Sequence, residues 1–170
     1  MSCSTKYRIF ILLFYALGCL SCGKTPKASH LSQKDIKHEQ FVSLVGLEVS
    51  DHTASEVALK FTFTITPGYH IQPDVVDCDN FIATQFKIAP SLNYDVKSMV
   101  FEFEPRTWHM DHYRDFKVIS EGFTISVVLE GQQMHLTDLK KHTAELFYQA
   151  CDAKKCFFPR TLVIPLDRIS

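Results

Sequence analysis

Val57, Leu59, Phe61, Phe63 and Ile65 alternate with Ala58, Lys60, Thr62 and Thr64. A period of two sustained over this run describes an extended strand with one buried face. Pro67-Gly68 supplies turn chemistry at its end, and residues 69–72 begin another extended piece. Comparable short apolar runs occupy residues 41–50, 81–89, 99–104, 116–130, 144–150 and 157–166. In the 99–104 run Met99, Phe101 and Phe103 point one way while Glu102 and Glu104 point the other, as on a half-solvated sheet. Seven or so short strands in about 130 residues predict an all-β antiparallel sandwich. Composition agrees: 14 Phe against one Trp suits a core of flat rings packed between sheets. One stretch departs from the β pattern. Met134, Leu136, Leu139, Leu146 and Phe147 fit a helical stripe, and residues 137–145 predict a short helix or long turn.

The chain has 170 residues, 46% of them hydrophobic, with 6 Gly and 7 Pro, which suits one compact domain and not a disordered or fibrous chain. A formal charge of −1 gives no electrostatic basis for nucleic-acid binding, which rests on clustered Lys and Arg.

The N-terminus is an address. Lys6 and Arg8 precede an apolar run over residues 9–17, about half of the ~20 residues a membrane-spanning helix needs, so it reads as a signal peptide. Ala16-Leu17-Gly18-Cys19-Leu20-Ser21-Cys22 resembles a bacterial lipobox, in which a lipidated cysteine becomes the mature N-terminus. Two registers compete, Cys22 and Cys19, and a secreted protein cut after Ser21 is the plain alternative. The expected organisation is a signal peptide with lipobox over residues 1–21, a polar tether over 22–40 and a β-sandwich domain over 41–170. Each version places the domain outside the cytoplasm, and the lipobox version ties it to a membrane through an N-terminal lipid.

Cys78, Cys151 and Cys156 remain for the folded domain. Cys151 and Cys156 flank the polar stretch Asp152-Ala153-Lys154-Lys155 between two apolar runs, where a hairpin brings side chains within the ~3.5–4.5 Å Cβ separation that a disulfide requires. An exported chain allows that bond to form. A loop this short yields only ~2 kcal/mol in the chain-entropy picture, and a domain with this much apolar content has little need of a staple. A turn at the end of a rigid sheet can instead meet another protein, and Lys154, Lys155 and Arg160 favour a thiolate nearby. Spacing alone leaves the structural and the redox roles both open.

Tyr148-Gln149-Ala150-Cys151, then Cys156, Pro159 and Val163-Ile164-Pro165-Leu166, resemble the end of the N-terminal domain of the DsbD thiol:disulfide interchange protein family. Trp108-His109-Met110-Asp111-His112-Tyr113 resembles that family's cap segment, and Pro67-Gly68-Tyr69-His70-Ile71 its Pro-Gly-Tyr strand opening. The resemblance runs from about residue 40 to the end. It implies an immunoglobulin-like sandwich bearing a redox-active disulfide, Cys151–Cys156, on a hairpin. It also implies a thiol:disulfide oxidoreductase that relays electrons from a membrane-embedded thiol reductase to periplasmic thioredoxin-like proteins, with no cofactor because the sulfurs carry the electrons. Cys156 would enter mixed disulfides, Cys151 would resolve them, and the cap Asp111, His112 and Tyr113 would shield the pair. Departures are visible as well: Phe158 replaces a proline, His112-Tyr113 replaces an acidic-aromatic pair, and residues 73–80 look inserted, leaving Cys78 without a family role.

The competing reading is an extracytoplasmic binding module with a structural disulfide. Within it, His109 and His112, with His70, Met110 or Cys78, would offer soft copper ligands, though an HxxH pair off a helix is weak evidence for metal and exposed loop histidines are the simpler assignment. Asp111 and Asp115 read as turn residues and solvated charges.

Overall fold

The computed structural model describes residues 40–76, 81–91, 93–109 and 115–169. The leader and tether, Cys3, Cys19, Cys22 and Cys78, and the cap residues Asp111, His112 and Tyr113 lie outside the described residues.

The alternating run forms β2 (Glu56–Ile65), with Val57, Leu59, Phe61, Phe63 and Ile65 all buried. It lies between β1 (Val42–His52) and β8 (Phe123–Glu130), and β5 (Asp95–Phe103) closes the far side, giving a four-stranded antiparallel sheet in the order β1-β2-β8-β5. A second sheet has the order β11-β9-β4, built from β4 (Gln85–Ile88), β9 (Thr143–Tyr148) and β11 (Arg160–Pro165). Their apolar faces make the core of an immunoglobulin-like antiparallel sandwich. Phe61 of β2 meets Phe86 of β4 edge-on at 4.8 Å between ring centroids, so the rings do pack between the layers. Phe63 stacks on its cross-strand neighbour Phe123 at 4.8 Å.

Several sequence expectations change in detail. The 116–130 run is two strands, β7 (Phe116–Val118) and β8, because the chain turns at Glu121-Gly122, where a Cβ on Gly122 would come 3.1 Å from the Phe63 carbonyl. The 134–147 stripe yields only α1 (Leu136–Leu139), and Leu146 and Phe147 belong to β9. Leu146 is instead buried by the period-two pattern of its strand. A short strand, β6 (Arg106–Trp108), pairs with β7 and was not anticipated. Among the described residues no helix is long and apolar enough to cross a membrane.

At one end of the sandwich sits the two-stranded ribbon of β3 (His70–Ile71) and β10 (Ala150–Cys151). Gly68 enables the turn into β3, with φ of 88°, a left-handed conformation that other residues adopt at a penalty. Ile71 exchanges both backbone hydrogen bonds with Ile119, at 2.9 and 3.0 Å, tying β3 to the segment that follows β7. The order across this end is therefore β10, β3, the β7 side and β6.

Candidate functional site

The site is built by a turn. After β10 the Asp152 carboxylate accepts hydrogen bonds from the backbone N–H groups of Lys154 and Lys155, at 2.7 and 2.8 Å. The Asp152 N–H donates to the Lys155 carbonyl at 2.9 Å, and the Phe157 N–H donates to Ala150 at 2.8 Å. An aspartate that satisfies the backbone just ahead of it is the usual way a short side chain holds a tight reversal. Those N–H donors, with Lys155 and Lys154 nearby, hold the Asp152 carboxyl below its ordinary range, so it stays ionised.

The reversal sets Cys151 against Cys156 as a single antiparallel bridge, with Cα atoms 3.9 Å apart and the sulfurs joined in a disulfide. The pairing expected from the sequence is present. The two residues differ in access: Cys151 is fully buried, while Cys156 is half-buried at the rim of a surface cleft of about 800 Å³. Lys155, Phe157, Phe158, Pro159 and Arg160 also line that cleft. Phe158 is 90% exposed, which is unusual for so large an apolar side chain and places a sticky group two residues from Cys156.

Behind the turn is an aromatic platform. Phe41, Tyr69 and Phe157 pack in a triangle with centroid separations of 4.5, 4.8 and 5.7 Å. The Arg160 guanidinium lies 4.5 Å from the Phe41 ring and the Lys155 ammonium 4.9 Å from Phe157. Both cation–π contacts keep positive charge at the cleft, and the Arg160 contact ties the end of the turn to Phe41, just ahead of β1. The Gln149 side-chain amide adds a 3.0 Å hydrogen bond to the Phe157 carbonyl. Phe157 thus helps to hold the turn, and Tyr148 is a buried core residue.

Sequence reasoning gave His70 no role in the sulfur chemistry. The β3–β10 register places it directly opposite Cys151, and it is fully buried. Its ring lies 4.2 Å from Trp108 and 6.5 Å from Phe116 between centroids. Burial pushes it down to about 4, against a smaller opposing pull from Asp152. Among the described residues neither ring nitrogen, nor Nε1 of Trp108, has a hydrogen-bond partner, and all three are buried. The sequence signal was a lone histidine in a short strand opening, and only non-local pairing reveals its neighbour.

Of the other candidates, His109 pairs with Asp115 at 2.8 Å on the surface. Among the described residues no group of three or more His, Cys, Asp and Glu side chains converges as a metal site would require.

No protein-family model matches the chain, and no curated protein matches it. Solved structures do resemble it. The N-terminal periplasmic domain of ScsB from Proteus mirabilis superposes with a TM-score of 0.48 at 11% identity, over 71% of this chain and 44% of that one. The N-terminal domain of Neisseria meningitidis DsbD in the reduced form gives 0.43 at 14% identity, over 65% and 81%. The GAE domain of GGA2p from Saccharomyces cerevisiae gives 0.35 at 15% identity, over 73% and 94%. The chain thus spans less than half the length of the ScsB chain it matches.

Proposed function

We propose that this protein is a thiol:disulfide exchange module of the bacterial envelope, working through the Cys151–Cys156 couple. The observation that carries the proposal is the asymmetry of the bridge: one cysteine is sealed in the end ribbon, the other opens into a cleft. An inert staple needs neither an accessible sulfur nor an exposed phenylalanine beside it. Exchange requires a sulfur that a partner's thiolate can approach in line and a second, held in reach, that closes the ring again. Cys156 is the partner-facing sulfur and Cys151 the resolving one. Lys155 and Arg160 along the cleft favour a thiolate at Cys156. The sequence resemblance to the DsbD N-terminal domain supports the same assignment of roles. By that resemblance the electron donor is a membrane-embedded thiol reductase, the acceptors are periplasmic thioredoxin-like proteins, and a lipid on Cys22 or Cys19 holds the module at the membrane.

The direct test mixes the reduced protein with an oxidised periplasmic thioredoxin-like protein and follows both by thiol alkylation and gel shift. Electrons are expected to redistribute, and a Cys156→Ser chain should exchange none. No redistribution in the unmodified protein would overturn the proposal.

Two side chains tune the exchange. Phe158 forms the apolar anchor of the docking face, so Phe158→Ala should slow exchange with the protein partner by about tenfold, the loss typical of a binding hot spot. Its unfolding free energy should stay within about 0.5 kcal/mol, as for other exposed positions. Unchanged exchange would remove Phe158 from the interface. Asp111, His112 and Tyr113 form the shielding cap in this proposal, with Tyr113 covering the sulfurs until a partner displaces it. Tyr113→Ala should then speed oxidation of the reduced pair by small oxidants in stopped-flow experiments while leaving global stability nearly unaltered. Equal rates would show that Tyr113 is no lid.

A further inference from the structure

We propose that His70 is the proton carrier for Cys151: it takes the thiol proton as Cys151 attacks a mixed disulfide and returns it in the reverse step. The inference rests on the exchange reading above and adds a residue to it. The geometry begins with register, since His70 and Cys151 are directly opposed on β3 and β10 and so share one face of the ribbon. Burial makes a carrier necessary. Cys151 is fully buried, so bulk solvent does not reach its thiol directly, and a neighbouring base offers the proton a route before the sulfur acts as a nucleophile.

The state of His70 fits the task. Its two ring nitrogens, unpaired among the described residues, carry a standing penalty of about 1–3 kcal/mol for a buried polar group, and an apolar side chain would avoid it. Burial keeps the ring neutral near physiological pH, so it presents a free lone pair; burial also weakens that base, which the thiolate formed at Cys151 offsets by pairing with the imidazolium. Among the described residues the ring packs near Trp108 and Phe116, which do not ionise near neutral pH, and the backbone register sets Cys151 opposite it across the strand pair. The charged group acting on it is the Asp152 carboxylate, which favours the imidazolium and stays ionised through its own backbone hydrogen bonds. A nucleophile opposite a base, with a carboxylate to support the charge that forms, is the general logic of an activated sulfur.

The steps balance. In the reduced chain the Cys156 thiolate attacks a partner disulfide, forming the Cys156–partner bond and releasing the partner's second sulfur as a thiolate. Cys151 then gives its proton to His70 and its sulfur attacks Cys156. The Cys151–Cys156 bond forms, the Cys156–partner bond breaks, and its electron pair leaves on the partner's sulfur. The imidazolium passes its proton to that departing thiolate. The thiolate released in the first step takes from solvent the proton that Cys156 had given up, so two electrons and two protons have moved, the partner is a dithiol and this chain is again the disulfide.

The test uses the full chain with Cys3, Cys19, Cys22 and Cys78 changed to Ser, reduced and mixed with dithiobis(nitrobenzoate). This aromatic disulfide first captures Cys156, and its second coloured thiolate is released only when Cys151 closes the ring. That leaving group needs no proton, so the second phase isolates deprotonation of Cys151. His70→Gln should slow the second phase by about a hundredfold, the usual worth of a general base, and make it rise with pH as an unassisted thiol does. The first phase is the internal reference. An unaltered second phase and pH profile in His70→Gln, with the parent chain resolving normally, would overturn the role of His70 alone. A parent chain that never shows a second phase would instead defeat the exchange reading. Should His70→Gln not fold, the histidine ring titration followed by NMR in the parent chain decides. The ring is expected to titrate at higher pH when the disulfide is reduced, and identical titrations in the two redox states would overturn the proposal.

Discussion

Cys151→Ser accumulates a mixed disulfide with an exported thioredoxin-like protein, and Cys156→Ser does not. The expectation follows from access and connectivity. Cys156 lies at the cleft rim where a partner sulfur can reach it, whereas Cys151 is closed off inside the β3–β10 ribbon. Without Cys151 the intermediate on Cys156 has no intramolecular exit and persists. Without Cys156 the remaining sulfur is buried and no adduct forms. The effect is close to all or none, and non-reducing gels of envelope extracts, with the crosslinked band identified, read it. Equal trapping by both variants would contradict the division of roles.

The second large effect is on stability. His70 is held to about 4 in the folded protein against 6.5 for the unperturbed side chain. As pH falls through the unfolded value, the unfolded chain takes up a proton that the native state refuses, so stability declines with falling pH. The contribution is complete above the unfolded value, is lost progressively as pH falls toward the folded value, and is constant below that. Over the whole window it amounts to about 3 kcal/mol, from the energy of a unit pKa difference. Urea unfolding of the oxidised protein between neutral pH and about pH 4 should show this slope on top of the contributions of other groups. His70→Phe should lack it and also be more stable at the acid end, since a ring of similar shape without nitrogens needs no partner. Parallel pH profiles for the two proteins would show that His70 titrates freely.

The sandwich was legible because its central strand repeats with period two, and β2 carries that pattern without interruption. In β1 the pattern is blurred: its pairing with β2 slips between Leu44 and Gly46 and between Val49 and Asp51, so buried positions do not alternate strictly. β6 escaped notice because three residues, two of them exposed, offer no periodicity to read. The cysteine pair was visible because both partners of the bond, and the Asp152 turn between them, are local in sequence. His70 was not, because its apposition to Cys151 joins strands some eighty residues apart, as the numbering itself indicates. The aromatic platform is similarly non-local, bringing Phe41, Tyr69 and Phe157 from separate parts of the chain.

The central claim, that Cys151 and Cys156 form a working couple and not a staple, is tested most directly by their reduction potential. The protein with Cys78 replaced by Ser is equilibrated in redox buffers of graded poise, and the oxidised fraction is counted by alkylation and mass spectrometry. A relay to thioredoxin-like partners must sit where exchange runs in both directions, so a value well above about −300 mV is predicted. A value below about −300 mV, where structural disulfides of secreted proteins lie, would contradict it.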